Sequence, residues 1–241
     1  MRLTDHVTLV AGGAYGFDLS DPLDCHVYLV RGARHSVLVD AGAGRSAESI
    51  VRAVRATGAD PGRLLLTHGH ADHAGGAAAL AERLPGLRVL AGAEATGWIA
   101  AGDEAGVSLD RGKASGYYPA DYSFAPCPQV EALADGEEID LGGGVVLRAV
   151  ATPGHADGHL CFHLRAPGHR ALFSGAEPAR LPGSRVRGQS EQAGGARRGR
   201  AVPRPPRGLA RAGRAPSGGR PRHPRPRAAA EEHDMTPRDS A

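Results

Sequence analysis

Cysteine is scarce in this chain: Cys25, Cys127 and Cys161 are all it has. They are odd in number, widely spaced and form no CxxC pair, which argues against a disulfide scaffold and fits a reducing, cytoplasmic setting. Long apolar runs are missing too. No stretch approaches the ~20 residues needed to span a bilayer, so no membrane partner is expected. The first ten residues carry Arg2, Asp5 and His6, which interrupts the continuous apolar segment that a secretory signal requires. From Leu181 onward there is no Ile, Phe, Tyr or Trp, while nine of the 18 prolines sit there with nine glycines. Such a segment buries too little apolar surface to offset its ordering entropy. Residues 180–241 are therefore expected to be a disordered tail after a domain spanning 1–179. Charge divides at the same place. Residues 181–241 hold 14 Arg and 5 acidic groups, a balance of +9, and the first 180 hold 15 basic and 21 acidic groups, a balance of −6.

What is present is alternation. His26–Val30 and Ser36–Asp40 flank the turn Arg31-Gly32-Ala33-Arg34 and predict a hairpin. Ser46–Ala56 places Ile50, Val51 and Val54 on one helical face. Arg63–Thr67 predicts a buried strand, Ala74–Leu84 a helix stopped by Pro85-Gly86, Leu87–Ala91 a strand and Ala93–Ala101 a helix. Residues 102–129 lose periodicity and collect Tyr117, Tyr118, Tyr122 and Phe124, which reads as a long loop or lid. Its aromatics either shape specificity or pack. Strand patterns return at Gln129–Leu133, Glu137–Leu141, Val145–Val150, His159–Leu164 and Arg170–Ser174.

Chemistry concentrates in Thr67-His68-Gly69-His70-Ala71-Asp72-His73, where three of the chain's 12 His and one carboxylate share six positions. Neutral imidazole and carboxylate are the ligands that borderline divalent metals such as zinc select. A strand ending at Thr67 throws this segment into a loop at a sheet edge, where α/β proteins keep their chemistry. The alternative, a His-rich surface turn, needs a chance clustering of three His. The second motif is Thr152-Pro153-Gly154-His155 with Asp157 and His159. Alone, it is a turn with a hydrogen-bonding His. At the same end of another strand as the first cluster, it becomes a remote ligand.

Together these residues resemble the metallo-β-lactamase superfamily. Residues His68–His73 match its HxHxDH signature and Thr152–His155 its second His motif. Val39-Asp40-Ala41-Gly42 and Leu172-Phe173-Ser174-Gly175 match two further strand-end landmarks, and Ala134-Asp135-Gly136-Glu137 also fits. The resemblance covers roughly residues 5–175. It implies an αββα sandwich of the α/β class, incomplete at its C-terminus. His68, His70 and His155 would hold one metal ion, Asp72 and His73 would contribute to a second, and Asp40 would hold a ligand by hydrogen bond. Alternatively, Asp72 would orient the hydroxide or pass a proton to the leaving group. The implied cofactor is zinc, one or two ions, with iron as the alternative. The implied reaction is hydrolysis of an ester, thioester or amide carbonyl in a small molecule, with a glyoxalase-II-like thioester reaction as the subclass.

The match stops abruptly. Where the family places a metal-bridging Asp after Ser-Gly, this chain has Ala176, then Glu177. The last His ligand has only His223 and His233 as candidates, neither in a periodic segment. The coincidence of the lost Asp with the change in composition suggests a shift of reading frame near codon 176. A second sheet without its covering helix should expose apolar surface over residues 130–175. Two further classes stay open: an inactive or impaired family member, and a nucleic-acid-processing relative using the Arg-rich tail. That tail lacks the aromatics on which bases stack, so a nucleic-acid partner is not expected.

Overall fold

The computed structural model describes residues 1–175. The expectations for Ala176, Glu177, His223, His233 and the 180–241 tail concern positions outside these. Ten strands and five helices follow the chain order β1 (Val7–Ala11), β2 (Val27–Arg31), β3 (Ser36–Val39), α1 (Ala47–Ala56), β4 (Pro61–Leu65), α2 (Ala71–Ala74) and α3 (Ala77–Arg83). Then come β5 (Arg88–Gly92), α4 (Ala93–Ala101), α5 (Leu109–Ala114), β6 (Glu131–Leu133), β7 (Glu138–Gly142), β8 (Val145–Ala151), β9 (Leu160–Ala166) and β10 (His169–Phe173).

The strands form two sheets, β1-β2-β3-β4-β5-β6 and β10-β9-β8-β7. In the first, β1, β2 and β3 pair antiparallel, β1 and β2 across the long loop 12–26 and β2 and β3 across the tight turn 32–35. From β3 to β6 the pairs are parallel, and each such step needs a crossover, supplied by a helical segment. The second sheet is wholly antiparallel.

Side-chain alternation sorts the first sheet's residues into two cores. Leu38, Leu64, Leu66, Val89 and Ala91 face the helices and pack with Ile50, Val54, Leu80 and Ile99. Their neighbours Val37, Val39, Leu65 and Leu90 face the second sheet and meet Leu141, Leu147, Phe162 and Leu164. A strand buried on both faces reads as an unbroken apolar run, which is why β3 is buried at every position. α1 buries Ala47, Ile50, Val51 and Val54 and turns Glu48 and Arg52 outward, 2.9 Å apart. Among the described residues all five helices contribute to the core on one face of the first sheet, so the layers run helix, sheet, sheet.

Three elements differ from the sequence expectation. The helix expected over Ala74–Leu84 is two helices, α2 beginning inside the His motif and α3 starting after Gly75-Gly76. A Cβ at Gly75 would collide with the Ala71 carbonyl, and one at Gly76 with the Ala41 carbonyl. These two glycines let the motif lie directly against the loop after β3. The stretch 102–129 contains α5, whose six residues bury only Leu109 and include Gly112, too short to show a period. The second sheet's outward positions are mainly charged or polar: Glu138, Asp140, Arg148, Arg165 and Arg170, with Arg165 and Glu138 paired at 2.8 Å. Leu172, at 60% exposure, is the large apolar exception. The expected apolar surface is thus reduced, because the strands alternate polar and apolar residues on a face that no helix covers among the described residues.

Candidate metal centre

Three strand ends build the site. β3 ends at Asp40, which is 2% exposed and adopts a left-handed backbone with φ +62°. Few residues other than Gly tolerate this conformation, and Asp is one of them. Its carboxylate faces the end of β4: Oδ1 accepts the Thr67 N–H at 2.8 Å and the Thr67 hydroxyl at 3.0 Å. Oδ2 lies 2.9 Å from His73 Nδ1. Thr67 Oγ1 in turn sits 3.0 Å from His68 Nδ1. One buried carboxylate therefore orients two residues of the His motif directly and a third through Thr67.

The second motif is brought in through the backbone. The Thr152 N–H donates to the His159 carbonyl at 3.0 Å, closing the 152–159 loop. The Leu160 N–H then donates to the Thr67 carbonyl at 2.7 Å, which sets that loop against the start of the first motif. His155 Nε2 arrives 3.3 Å from His68 Nε2. Gly175 completes the wall with φ +59°; a Cβ there would strike the Thr67 hydroxyl and approach His68 Nδ1. The Ser-Gly landmark thus needs glycine on both conformational and steric grounds.

The result is five imidazoles around one point. The His68 ring lies 4.2 Å from His73, 4.5 Å from His70, 4.7 Å from His155 and 5.2 Å from His159, centroid to centroid. His68 is buried, His70 half-buried and His155 exposed, and ligand nitrogens from the three lie within 4.8 Å of one another. They open into a cavity of about 250 Å³ that Asp72, His73, Tyr118 and Gly175 also line. Asp72 Oδ2 stands 3.5 Å from His73 Nε2. All five predicted ligands thus line one cavity, and Asp40 lies behind His73.

Electrostatics prepare His68 and His70 for a cation. Burial, then the neighbouring His73, His70 and His155 rings, hold His68 well below the ordinary His range. Burial and the His155 ring bring His70 down to about 4. Both are therefore neutral imidazoles at neutral pH, the form that ligates metal. The donor set fits a zinc ion: three converging imidazoles open to a cavity make a three-ligand site with a free position. His73 moves the other way. Burial pulls it down, but Cys25, Asp40 and Asp72 outweigh this and raise it well above its ordinary value. The Cys25 thiol, pushed up to about 12 by burial, is uncharged at neutral pH, so the two carboxylates carry that upward push.

These shifts predict how the metal-free protein responds to acid. Unfolded His titrates near ~6.5. A depressed His contributes stability above that value and loses it as pH falls toward the folded pKa. His68, His70 and His159 are all depressed. His73, being raised, keeps its contribution below ~6.5 and loses it only as pH rises through its folded pKa. Three against one, the metal-stripped protein should have a lower Tm at pH 5 than at pH 7. An equal or higher Tm at pH 5 would mean that the imidazoles are not held neutral.

Sequence reasoning overlooked several site residues. Tyr118 hydrogen-bonds Asp72, and Cys25 forms a buried group with Asp40 and His73. His159 is buried with Nδ1 2.7 Å from Thr152 Oγ1. Only His159 sat inside a recognised motif; no spacing marks the other two.

Known proteins are similar to this chain in sequence and in fold. The curated relatives include the thioesterase pkgB of Emericella nidulans, 32% identical over 62% of this chain and 34% of that protein. Another is a hydroxyacylglutathione hydrolase of Aeromonas hydrophila, 28% identical over 63% of this chain and 46% of that one. The chain therefore spans a third to a half of the length of these relatives. Among solved structures, a metallo-beta-lactamase with a HARLDQ motif from Cronobacter sakazakii superposes with a TM-score of 0.58. Its identity is 24%, over 78% of this chain and 67% of that one, a likeness that shows the fold. The family profile described as the metallo-beta-lactamase superfamily matches residues 20–175, from the segment before β2 to the glycine that closes the cavity. Profile, two-sheet fold and the order of the motifs agree, and the chain belongs to the metallo-beta-lactamase superfamily.

Proposed function

We propose that this chain is a zinc-dependent hydrolase of a small-molecule thioester, with residues 1–179 as its catalytic domain. The observation that carries the reading is the convergence of His68, His70 and His155 nitrogens within 4.8 Å in an open cavity. A zinc ion bound there would supply hydroxide at neutral pH and a Lewis acid for the carbonyl oxygen. His68, fixed through Thr67, and His70 and His155 at the cavity would hold it. Asp72 lines the same cavity; with a single zinc ion bound it would be the group placed to take up and return a proton as the carbonyl carbon is attacked and the thiol leaves, and with a second ion it would be a ligand instead. Asp40 keeps His73 and Thr67 in place. Thioester chemistry is favoured by those curated relatives that are named as thioesterases and as a hydroxyacylglutathione hydrolase, beside others named lactamase-like. Three buried, unpaired cysteines support a reducing, cytoplasmic location.

A second reading, an impaired member of the family, rests on Ala176 standing where the family's bridging Asp would be. One experiment separates the two. The purified full chain is offered a glutathione thioester, an acyl N-acetylcysteamine thioester and a β-lactam, with zinc quantified per chain. The hydrolase reading expects thioester turnover that a chelator abolishes and added zinc restores. Bound zinc with no turnover of any of the three selects the impaired reading.

A further inference from the structure

Tyr118 is 7% exposed and lines the cavity. Its hydroxyl makes two hydrogen bonds to one residue: it donates to Asp72 Oδ1 at 2.8 Å and accepts the Asp72 N–H at 3.1 Å. A phenol held this way grips both the backbone and the side chain of its partner, which leaves Asp72 little freedom to rotate. The other oxygen, Oδ2, lies 3.5 Å from His73 Nε2. The phenol itself is well seated. It stacks on Tyr122, with centroids 5.4 Å apart and planes 16° from parallel, and Tyr122 donates to the Ala43 carbonyl at 2.6 Å. Gly112 backs the Tyr118 ring so closely that a Cβ there would overlap it.

We propose that Tyr118 is a positioning residue for Asp72: its hydroxyl occupies Oδ1 and leaves Oδ2, beside His73 Nε2, as the oxygen available to a second metal ion. The inference rests on the zinc reading above and extends it to a residue outside the His motifs. A carboxylate with one oxygen capped is a one-oxygen ligand of fixed direction. Freed of the cap, it must lose rotamer freedom whenever it binds a metal. Groups that orient a ligand in this manner change metal affinity by about 10–100-fold when removed. The tight trio of His68, His70 and His155 has no hydrogen bond to Tyr118 and should not respond.

The test is a zinc titration of the metal-stripped full chain against a competing chelator, for the native protein, Tyr118→Phe, Tyr122→Phe and Asp72→Ala. The native chain should bind zinc in a tight and a weaker phase, and Asp72→Ala should lose the weaker one. Tyr118→Phe should keep the tight phase and weaken the other about 10–100-fold. Tyr122→Phe, which loosens the same segment without touching Asp72, should lower Tm yet leave both phases within about 3-fold. Equal phases in Tyr118→Phe and the native protein overturn the proposal. So does a Tyr122→Phe loss as large as that of Tyr118→Phe, since the effect would then be general loosening. A single phase in the native protein overturns it as well. A native chain that binds no zinc at all instead removes the metal reading on which the proposal stands.

Discussion

Replacing His68 with Ala should abolish zinc binding and lower thioester hydrolysis by about three orders of magnitude or more, since water without the metal returns to a pKa of ~15.7. His68 lies at the centre of the imidazole cluster, with four other rings within 5.2 Å. It is also fully buried, so its loss would leave a cavity and cost stability for reasons unrelated to metal. His70→Ala provides the control. His70 is half-buried and sits at the cavity, so its removal should cost the same zinc with a smaller fall in Tm. Zinc content by elemental analysis, read beside thermal unfolding, separates the two effects. Native zinc content in His70→Ala would dismiss the trio as the metal site.

Asp40→Ala should destabilise the metal-free protein by about 3–5 kcal/mol, because it strands several buried donors at once. The Thr67 N–H, the Thr67 hydroxyl and the His73 Nδ1 side all lose their partner in a region where Asp40 is 2% exposed. Ala also inherits φ +62°, a conformation that costs an L side chain roughly 1–2 kcal/mol. Against a typical total of about 5–15 kcal/mol, this is a large fraction. Asp40→Gly removes the same hydrogen bonds without the backbone strain, so it should be less damaging than Asp40→Ala by about that 1–2 kcal/mol. Urea unfolding followed by circular dichroism measures both. If Asp40→Ala costs under about 1 kcal/mol, the carboxylate is not what holds the two motifs together.

Much of this architecture was readable from local pattern. The apolar run at Leu64–Leu66, the amphipathic spacing of Ile50, Val51 and Val54, and the hairpin flanking Gly32 each encode a burial face over a few residues. The hairpin and α1 were found where expected, and β4 lies two residues earlier than the strand expected over Arg63–Thr67. What local pattern handled poorly was short or interrupted structure. α5 has one buried residue and so no period to detect. The break between α2 and α3 follows from how closely Gly75 and Gly76 approach the Ala41 loop and α2, a contact with no signature along the chain.

The site divides in the same way. Residue types and their spacing picked out the candidate ligands, because imidazoles and a carboxylate within six positions are a metal's donor set whatever fold holds them. Spacing could not say how those donors are held. Asp40 lies 33 residues from His73, Tyr118 is 46 from Asp72, and His155 is 87 from His68. Periodicity records which face of an element is buried, not which side chain from elsewhere comes to rest against it. That Asp40 would bind both Thr67 and His73, and that a tyrosine from an aperiodic stretch would cap Asp72, was settled by the packing of two sheets and a helical layer around one strand edge.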